Sequence, residues 1–484
     1  MFESEFLMSA NISQDAYRRL ISEAVSVVGD SFPKSPYEGK NPTEIGNLVS
    51  TEFLLQEPGT AQVAEILRTV VANSISVSHP HTAAHLHCPP LLASLAAEVV
   101  ISALNQSMDS FDQAPIATIV EQKMARWLCA QAGLPTSADG TFTTGGSQSN
   151  YMGLLLARDT FLRKHWNWSA QKSGLPPEAR QLRILCSEVA HFTVEKSASQ
   201  LGLGTDAVVR VAVDDHFRME PAALRAALTS LQAQSLRPMA IVATAGTTDF
   251  GSIDPLPELV AAARAANTWL HVDAAYGGAL LFSAEHRPRI DGIAQADSLS
   301  IDFHKLLWQP IPCSVFLVRE AQDFDSIKMH ADYLNPELDE AAGVPNLVTT
   351  SLLTSRRFDA LKLWISLQSL GRIQLAAMID RTIALAAYSA EVVRATQSLE
   401  LMCEPQLSTV VFRYIPRQAG LDADLINAAI RRRLFETGSA VIGHTRVHGQ
   451  QCLKFTCMNP AASDSQMKEL IEMVRVQGKE LERG

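Results

Sequence analysis

MAIVATAGTTDFGSIDPLPELVAAARAANTWLHVDAAYGG, the segment Met239–Gly278, decides the fold. Its two short apolar runs, MAIVAT (239–244) and TWLHVD (268–273), are typical of buried strands. An alanine-rich amphipathic stretch separates them, and such a stretch is typical of a helix. A strand, a helix and a second strand in this order predict two parallel strands joined by a helical crossover.

The same alternation extends along the middle of the chain, from about residue 182 onwards. Four further buried strands are predicted, with the sequences LRILC (182–186), AVVRVAV (207–213), SLSID (298–302) and SVFLV (314–318). We therefore predict an α/β fold with a mainly parallel sheet covered by helices. Ligand sites in such sheets lie at the carboxyl ends of the strands.

The two ends of the chain have different patterns. After Arg356, two long helical patterns are followed by shorter strands and helices, which predicts a smaller α+β unit. The N-terminal region has a helical pattern and a connector rich in proline and glycine. We therefore expect an N-terminal helical segment at 1–75, a large α/β domain at 76–372 and a small C-terminal domain at 373–484.

The composition argues against several classes of protein. The 484 residues are 47% hydrophobic and carry a net charge of −10. An acidic chain without an extended basic run does not suit nucleic acid or an anionic membrane as a partner. Seven scattered cysteines without a CxxC pattern favour a reducing compartment. Because we find neither a signal-peptide pattern nor an apolar run of about 18 residues, we expect a cytoplasmic protein.

A glycine-rich turn precedes a helical pattern in TTGGSQSNYMGLLLARD, which begins at Thr143. Gly145 and Gly146 permit close approach of a ligand to the backbone, and a helix N-terminus offers free N–H groups. Together with Ser147, this turn suits a phosphate. By itself, however, it would be interpreted as an ordinary helix cap.

Four further motifs stand at predicted strand ends or helix starts. Asp273 ends a strand in LHVDAAYGG, where the small residues that follow leave room for a flat ring. Lys305 follows an apolar run in DFHKLL, and a lysine is rarely buried without a reason. His191 in EVAHFTVEK and Thr244 in ATAGTT stand at comparable positions. Taken singly, these residues are equally well explained as a helix cap, a solvent-reaching lysine, a helix-start histidine and a turn.

Taken together, the motifs match the needs of pyridoxal 5′-phosphate. This cofactor requires an amine for covalent attachment, a carboxylate at its ring nitrogen and a cradle for its phosphate. Lys305, Asp273 and the turn at 145–147 provide these three features. The carboxylate keeps the ring nitrogen protonated, so that the ring can accept an electron pair.

The series TGGSQSN, His191, TAGTT, HVDAAYGG, DFHK and RRFDALKLW resembles the group II pyridoxal-phosphate-dependent amino acid decarboxylases of fold type I. The resemblance extends from about His79 to the C-terminus. The segments DFHKLLWQP, HADYLNPE and PNLVTTSLLTSRRFDALKLW are most similar to bacterial L-2,4-diaminobutyrate decarboxylases and to siderophore-pathway lysine and ornithine decarboxylases. The resemblance implies a mainly parallel sheet of seven strands. It also implies α-decarboxylation of an L-diamino acid (2,4-diaminobutyrate, ornithine or lysine) to a diamine and CO2.

The resemblance also implies which residues surround the cofactor ring. Lys305 would carry the cofactor covalently, and Asp273 would pair with the ring nitrogen. His191 would stack over the ring and help to orient the substrate carboxylate. Ala275 would lie against the opposite face of the ring, and Thr244 would lie near its phenolic oxygen.

Further positions follow from the same resemblance. Gly146, Ser147, Ser298 and His304 would lie near the phosphate. Tyr333, in a mobile loop at about 325–348, would return a proton to the substrate carbon. A homodimer with shared active sites is expected, and the N-terminal helices would clasp the partner subunit.

The side-chain ammonium of a diamino acid needs a carboxylate in a closed pocket. Asp109 is our first candidate and Asp112 the second, although both could instead cap local structure. His81, His85 and His87 are candidates for the substrate site because the family uses this segment to line the pocket. His81 and His85 have the i, i+4 spacing of a zinc site, but nearby prolines disfavour it, so we expect no metal.

Three alternatives stay open at this point. The substrate could be acidic (aspartate, glutamate or cysteine sulfinate) or aromatic, and an acidic substrate would call for an arginine such as Arg356 or Arg357. The same cofactor also supports transamination and amine oxidation, against which Tyr333 argues. A relative that only binds partners is disfavoured by the presence of Lys305, Asp273 and His191.

Overall fold

The computed structural model describes residues 5–49 and 63–483, which form two compact units. The larger unit comprises residues 86–387 and 403–409. The smaller unit comprises the described residues up to 85, together with 388–402 and 410–483. Within these ranges, no helix combines the length and the apolarity that crossing a bilayer requires.

The strands of the described residues are β1 (Thr82–Ala83), β2 (Asp139–Thr143), β3 (Leu182–Ser187), β4 (Val208–Val211), β5 (Arg237–Thr244), β6 (Trp269–Asp273), β7 (Ser298–Asp302), β8 (Ser314–Val318), β9 (Leu399–Leu401), β10 (Thr409–Tyr414), β11 (Val441–Val447) and β12 (Gln450–Thr456).

The α-helices are α1 (Asn11–Ser31), α2 (Pro42–Gly46), α3 (Val63–Ala72), α4 (Leu92–Leu104), α5 (Pro115–Ala132), α6 (Gly146–Trp166), α7 (Ala170–Ser173), α8 (Thr193–Gln200), α9 (Pro221–Ala233), α10 (Leu256–Ala265), α11 (Glu337–Ala341), α12 (Ala360–Ala395), α13 (Ala423–Glu436) and α14 (Asp464–Glu482). Short 3₁₀ turns lie at Pro177–Gln181, Thr205–Ala207, Gly277–Phe282, Arg287–Ile290, Ile293–Gln295, Ala321–Ser326 and Leu347–Thr350.

The sheet of the larger unit has the strand order β2-β8-β7-β6-β5-β3-β4. Strands β3 to β7 pair in parallel, whereas β8 runs antiparallel to both of its neighbours. Strands β6, β7 and β8 have five residues each, and every one of these residues is buried, as expected for strands covered on both faces. The predicted mainly parallel sheet is therefore confirmed, with the seven strands that the resemblance implies.

The register of the central strands sets the position of the candidate site. Thr244 ends β5 and pairs with Asp273, which ends β6. Asp273 in turn pairs with Ser300 in β7, two residues before that strand ends at Asp302. The two sequence-predicted residues Thr244 and Asp273 thus stand side by side at the carboxyl edge of the sheet.

The smaller unit contains a second sheet with the order β1-β11-β12-β10-β9. The two residues of β1 pair in parallel with β11, so that Thr82 lies opposite Val441. Strands β11 and β12 form an antiparallel hairpin. Helix α14 begins with a capping box, in which the Ser463 and Gln466 side chains each bond to the backbone of the other residue.

The grouping of the chain differs from the three parts expected from the sequence. The described N-terminal residues group with the C-terminal strands and helices, because β1 joins their sheet. The expected boundary at 373 falls inside α12, close to Gly371, whose φ of 69° interrupts the helical geometry. This residue separates the two helices that were predicted after Arg356.

Candidate active site

A cavity of about 270 Å³ opens at the carboxyl edge of the large sheet. Five separate stretches of the larger unit, at loops and strand ends, contribute residues to it. Its lining consists of Thr144, Gly145, Gly146, Ser147, Gln148, Asn150, His191, Thr244, Gly246, Thr248, Asp273, Ala275, Asp302, His304 and Lys305. Most of the residues predicted from the sequence for the cofactor therefore share one cleft.

The glycine-rich turn forms one wall of this cleft. Gly145 caps α6 with a φ of 143°, a value that favours glycine, and the helix begins at Gly146. A Cβ atom added to Gly146 would lie 3.2 Å from both the Ala275 Cβ atom and an Asp302 carboxylate oxygen. Because the first N–H groups of α6 have no partner within the helix, this wall suits an anion such as a phosphate.

Asp273 is fixed by two hydrogen bonds. Its Oδ1 atom accepts from the Ala275 backbone N–H at 3.1 Å, and its Oδ2 atom accepts from the Asn150 side-chain amide at 2.7 Å. The residue is only 7% exposed, so its remaining lone pairs face the cleft rather than bulk water. A carboxylate held in this way can bind a protonated ring nitrogen.

Lys305 follows β7 and forms an ion pair within the cleft. Its Nζ atom lies 3.1 Å from Asp302 Oδ2, while Asp302 Oδ1 accepts from the Ser314 hydroxyl at 2.7 Å. The Cys313 carbonyl oxygen accepts the backbone N–H groups of Phe303 and His304, which fixes the turn that carries the lysine. Lys305 is thus held by a carboxylate and is not a solvent-reaching lysine.

His191 lines the cleft at the start of α8. Burial lowers the pKa of its imidazole, and the nearby Lys305 ammonium acts in the same direction, while the Asp273 carboxylate opposes the shift. Its Nδ1 atom lies 3.0 Å from the Thr193 hydroxyl. His191 is therefore neutral at pH 7, and it presents an apolar ring face and one N–H group rather than a full charge.

His304 and Thr244 complete the cleft. The His304 ring lies beside the turn, since a Cβ atom on Gly145 would lie 3.9 Å from its Cε1 atom, and its Nδ1 atom lies 2.9 Å from the Cys313 carbonyl oxygen. Thr244 Oγ1 is buried and has no hydrogen-bond partner among the described residues. A polar atom of a bound ligand would satisfy this hydroxyl.

Ser298 does not join these residues, and its assignment to the phosphate needs correction. It begins β7, whereas Asp302 ends the strand, so the two lie about 13 Å apart along it. Ser298 is fully buried, and its hydroxyl contacts Trp269 Nε1 at 2.9 Å and His271 Nδ1 at 2.8 Å. Its role is inside the sheet rather than in the cleft.

The histidines proposed for the substrate fall in different units. His81 and His85 belong to the smaller unit, where His81 Nε2 lies 3.6 Å from Glu469. His87 belongs to the larger unit and is exposed. None of the three lines the cleft of the larger unit described above.

Asp109 and Tyr333 also lie outside the cleft lining. Asp109 is buried, its Oδ1 atom accepts the Ser110 backbone N–H at 3.1 Å, and its carbonyl oxygen accepts from Val348. Tyr333 is 90% exposed, in a loop where Glu340 contacts both Lys328 and His330. Their predicted roles stay predictions.

Sequence reasoning missed Asn150 and His271 as parts of the site. Asn150 lies within the quoted TTGGSQSN motif, and His271 stands two residues before Asp273, so both were visible in the sequence. Nothing in their spacing indicated that they contact each other, because 121 residues separate them. Their significance depends on the packing of α6 against β6.

The arrangement defines a class of protein. A lysine amine, a carboxylate for a ring nitrogen, a neutral histidine and a phosphate cradle share one cleft, and a buried hydroxyl is available to a ligand. These features fit pyridoxal 5′-phosphate, and the α/β sheet places them where such enzymes bind it. The protein is a pyridoxal-phosphate-dependent enzyme.

Comparison with known proteins identifies the family. Residues 43–415 match the family described as "Pyridoxal-dependent decarboxylase conserved domain". The chain therefore belongs to the pyridoxal-dependent decarboxylase family, and the predicted enzyme class, cofactor and fold are confirmed.

Similar proteins cover nearly the whole chain. An L-2,4-diaminobutyrate decarboxylase of Acinetobacter baumannii is 39% identical, with 95% of this chain and 92% of that protein covered. One of Rhizobium meliloti is 42% identical, with 97% and 93% covered. A crystal structure from Vibrio parahaemolyticus, of the glutamate decarboxylase domain of diaminobutyrate-pyruvate transaminase and L-2,4-diaminobutyrate decarboxylase, is 39% identical with a TM-score of 0.91 and covers 99% of both chains.

Proposed function

We propose that the protein decarboxylates an L-diamino acid (2,4-diaminobutyrate, ornithine or lysine) to the corresponding diamine and CO2. The observation that carries this proposal is the identity of 39% and 42% over nearly the whole chain to proteins named L-2,4-diaminobutyrate decarboxylase. 2,4-Diaminobutyrate is accordingly the first substrate to test.

Each residue of the cleft has a separate role in this reaction. Bound pyridoxal phosphate supplies a ring that accepts the electron pair left behind by CO2. Lys305 Nζ would attach the cofactor, and Asp273 would hold the proton at its ring nitrogen. His191 and Ala275 would hold the ring between them, while the turn at 145–147 would bind the phosphate.

The environment of two arginines disfavours the acidic-substrate alternative. Arg356 is buried, and its guanidinium bonds to both carboxylate oxygens of Glu121, the closer at 2.8 Å. Arg357 contacts Glu98 and Asp359. Because both guanidinium groups already have carboxylate partners, neither is free to bind a substrate carboxylate without breaking an ion pair.

Assays of CO2 release with a panel of amino acids test the proposal. We expect kcat/KM for at least one diamino acid to exceed the values for aspartate, glutamate, cysteine sulfinate and aromatic amino acids by roughly 100-fold or more. The reason is that a substrate without the second ammonium would leave a buried charge of the pocket unpaired. Among the three diamino acids, each methylene is worth about 1–3 kcal/mol. Preference for an acidic or aromatic substrate would contradict the proposal.

Tyr333 is proposed to return the proton to the substrate carbon when its loop closes. Tyr333→Phe removes only the hydroxyl, so we expect kcat for decarboxylation to fall by roughly 100-fold or more while KM changes little. Tyr151→Phe, on α6, is the matched control and should leave kcat unchanged. Undiminished CO2 release by Tyr333→Phe would reopen transamination and amine oxidation as functions.

Asp109 is proposed to bind the side-chain ammonium of the substrate. If so, Asp109→Asn should raise KM for 2,4-diaminobutyrate roughly 10-fold to 100-fold more than for 2-aminobutyrate, which lacks the second amine. Asp112→Asn tests the second candidate in the same assay. Equal changes for both compounds would assign Asp109 to local structure, consistent with its bonds to Ser110 and Val348.

We also propose that the protein is a cytoplasmic homodimer and, by analogy with the siderophore-pathway decarboxylases that it resembles, that it takes part in siderophore biosynthesis. The larger unit exposes apolar side chains on α4 and at the start of α5, including Leu92 at 84%, Leu104 at 60% and Ile116 at 63%. Exposed apolar side chains on neighbouring segments of the chain would, if they form one patch, suit a protein–protein interface. Sedimentation equilibrium should give twice the chain mass of 52.7 kDa, and a monomer at micromolar concentration would contradict the dimer.

A further inference from the structure

The Asn150 side chain joins three groups inside the larger unit. It is 2% exposed, and its Nδ2 atom lies 2.7 Å from Asp273 Oδ2 and 3.1 Å from Thr193 Oγ1. Its Oδ1 atom lies 2.9 Å from His271 Nε2. Because a carboxylate oxygen accepts and an amide nitrogen donates, the amide can face Asp273 in only one orientation.

This orientation determines the proton on His271. Asn150 Oδ1 must accept a hydrogen bond, so His271 Nε2 carries the hydrogen. Burial lowers the pKa of His271 to about 4, so the ring is neutral and its Nδ1 atom is an acceptor. The Ser298 hydroxyl donates to that Nδ1 atom, and Ser298 Oγ accepts from the Trp269 indole N–H.

The second hydrogen of the Asn150 amide is linked to His191 in the cleft through the Thr193 hydroxyl. It donates to Thr193 Oγ1, whose own hydrogen is then available to His191 Nδ1 at 3.0 Å. His191 Nδ1 is therefore an acceptor, and the single hydrogen of the neutral ring lies on Nε2. The Asn150 amide thus contacts the Asp273 carboxylate directly, and through Thr193 it fixes the tautomer of His191.

Helix packing leaves this arrangement little freedom. Gly153 lies one turn after Asn150 on α6, and a Cβ atom at that position would lie 2.4 Å from His271 Nδ1. The His271 ring is itself fully buried in β6, between the helix and the sheet. The ring therefore cannot turn without displacing α6 from the sheet.

We infer that Asn150 and His271 are positioning residues, which orient the Asp273 carboxylate toward the cofactor ring nitrogen and hold His191 in the tautomer with hydrogen on Nε2. The inference rests on the proposed function, since it takes Asp273 and His191 as cofactor residues. It explains the placement of Ser298 and Trp269 as the outer end of the same hydrogen-bond series.

Three variants test this inference. Asn150→Asp keeps the shape but replaces the donor opposite Asp273 with an acceptor, and His271→Leu removes the donor to Asn150. Both should weaken binding of pyridoxal phosphate to the cofactor-free protein by roughly 10-fold to 100-fold. His271→Gln retains an N–H group toward Asn150 and should restore affinity to within a few-fold of wild type.

Asn427→Asp is the matched control. Asn427 is a buried asparagine of the smaller unit, and its amide bonds to the backbone of Tyr414 and Ala423. We expect Asn427→Asp to lower the melting temperature while leaving cofactor affinity unchanged. An equal loss of affinity in this control would show that the Asn150 effect is a general consequence of lost stability and would overturn the inference.

A second readout does not depend on the cofactor. ¹⁵N NMR of histidine-labelled protein, assigned with His191→Gln and His271→Gln, should show hydrogen on Nε2 of both rings in the wild type. In Asn150→Asp, we expect the His191 signal to shift toward a mixture of tautomers. Hydrogen on Nδ1 in the wild type, or wild-type cofactor affinity in both Asn150→Asp and His271→Leu, would overturn the inference.

The affinity and NMR measurements separate this inference from the proposed function. Both are made without any amino acid substrate, so a substrate panel that contradicts the diamino acid proposal leaves them intact. Conversely, variants with unchanged affinity and tautomers would overturn the positioning role while decarboxylation by the wild type still stood.

Discussion

Lys305→Arg is expected to lower kcat for CO2 release by roughly 1,000-fold or more. Arginine stays charged and can retain an ion pair with Asp302, which lies 3.1 Å from the Lys305 Nζ atom, so the local fold should persist. A guanidinium cannot, however, serve as the nucleophile that attaches the cofactor. Steady-state CO2 release and the visible absorption of the purified protein measure the two consequences separately.

Lys123→Arg is the control for this substitution. Lys123 is an exposed residue of α5, outside the cleft lining, so kcat and the absorption spectrum should match the wild type. Retention of more than one tenth of the wild-type kcat by Lys305→Arg would remove Lys305 from its proposed role. Loss of activity in both variants would indicate a general sensitivity to such changes.

Asp273→Asn should lower kcat by roughly 100-fold to 1,000-fold, the range typical for loss of one preorganised electrostatic group. The replacement amide has a carbonyl oxygen that can still accept from Ala275 or from Asn150, so the change removes mainly the negative charge. Without that charge, the side chain at position 273 would no longer hold a proton at the ring nitrogen, and the ring would be a poorer acceptor of electrons. Steady-state kinetics with saturating cofactor isolate this effect from weaker cofactor binding.

Asp297→Asn provides the matched comparison for Asp273. Asp297 precedes β7, at the opposite edge of the sheet, and accepts the Leu270 backbone N–H at 2.7 Å. It also pairs with Arg264, so its substitution should lower thermal stability while kcat per folded molecule stays the same. A similar loss of kcat at both positions would contradict a specific role for the Asp273 charge.

The sequence predicted the central strands well because they are continuous apolar runs. SLSID and SVFLV coincide with β7 and β8, and TWLHVD exceeds β6 by one residue. Strand β2 was missed because DGTFT is short, begins with aspartate and glycine, and pairs with β8, which follows it by about 170 residues. Its partner cannot be identified from local pattern.

Most residues of the candidate site were also predictable from the sequence. Residues at strand ends and at the glycine turn were found because loops at the carboxyl edge of a parallel sheet converge. Ser298 was misassigned because its strand carries it to the opposite edge. The roles proposed for Asn150 and His271 depend on a contact between α6 and β6, which no spacing along the chain reveals.

The grouping of the N-terminal residues with the C-terminal strands also depends on a contact that the sequence pattern does not reveal. Of the described N-terminal residues, the two in β1 pair with β11, and Thr82 and its partner Val441 are far apart in the chain. A two-residue strand has no detectable periodicity, so the sequence suggested a separate helical segment. Pairing between distant segments is a property of tertiary packing.

Reduction of the cofactor-loaded protein with borohydride, followed by peptide mass analysis, tests the central claim most directly. The reduced cofactor should be found on the peptide that contains DFHKLLWQP, with the modification on Lys305. Asp273→Asn should give the adduct on the same lysine, because that substitution leaves the amine in place. An adduct on another lysine, or no adduct in protein that releases CO2, would contradict the account.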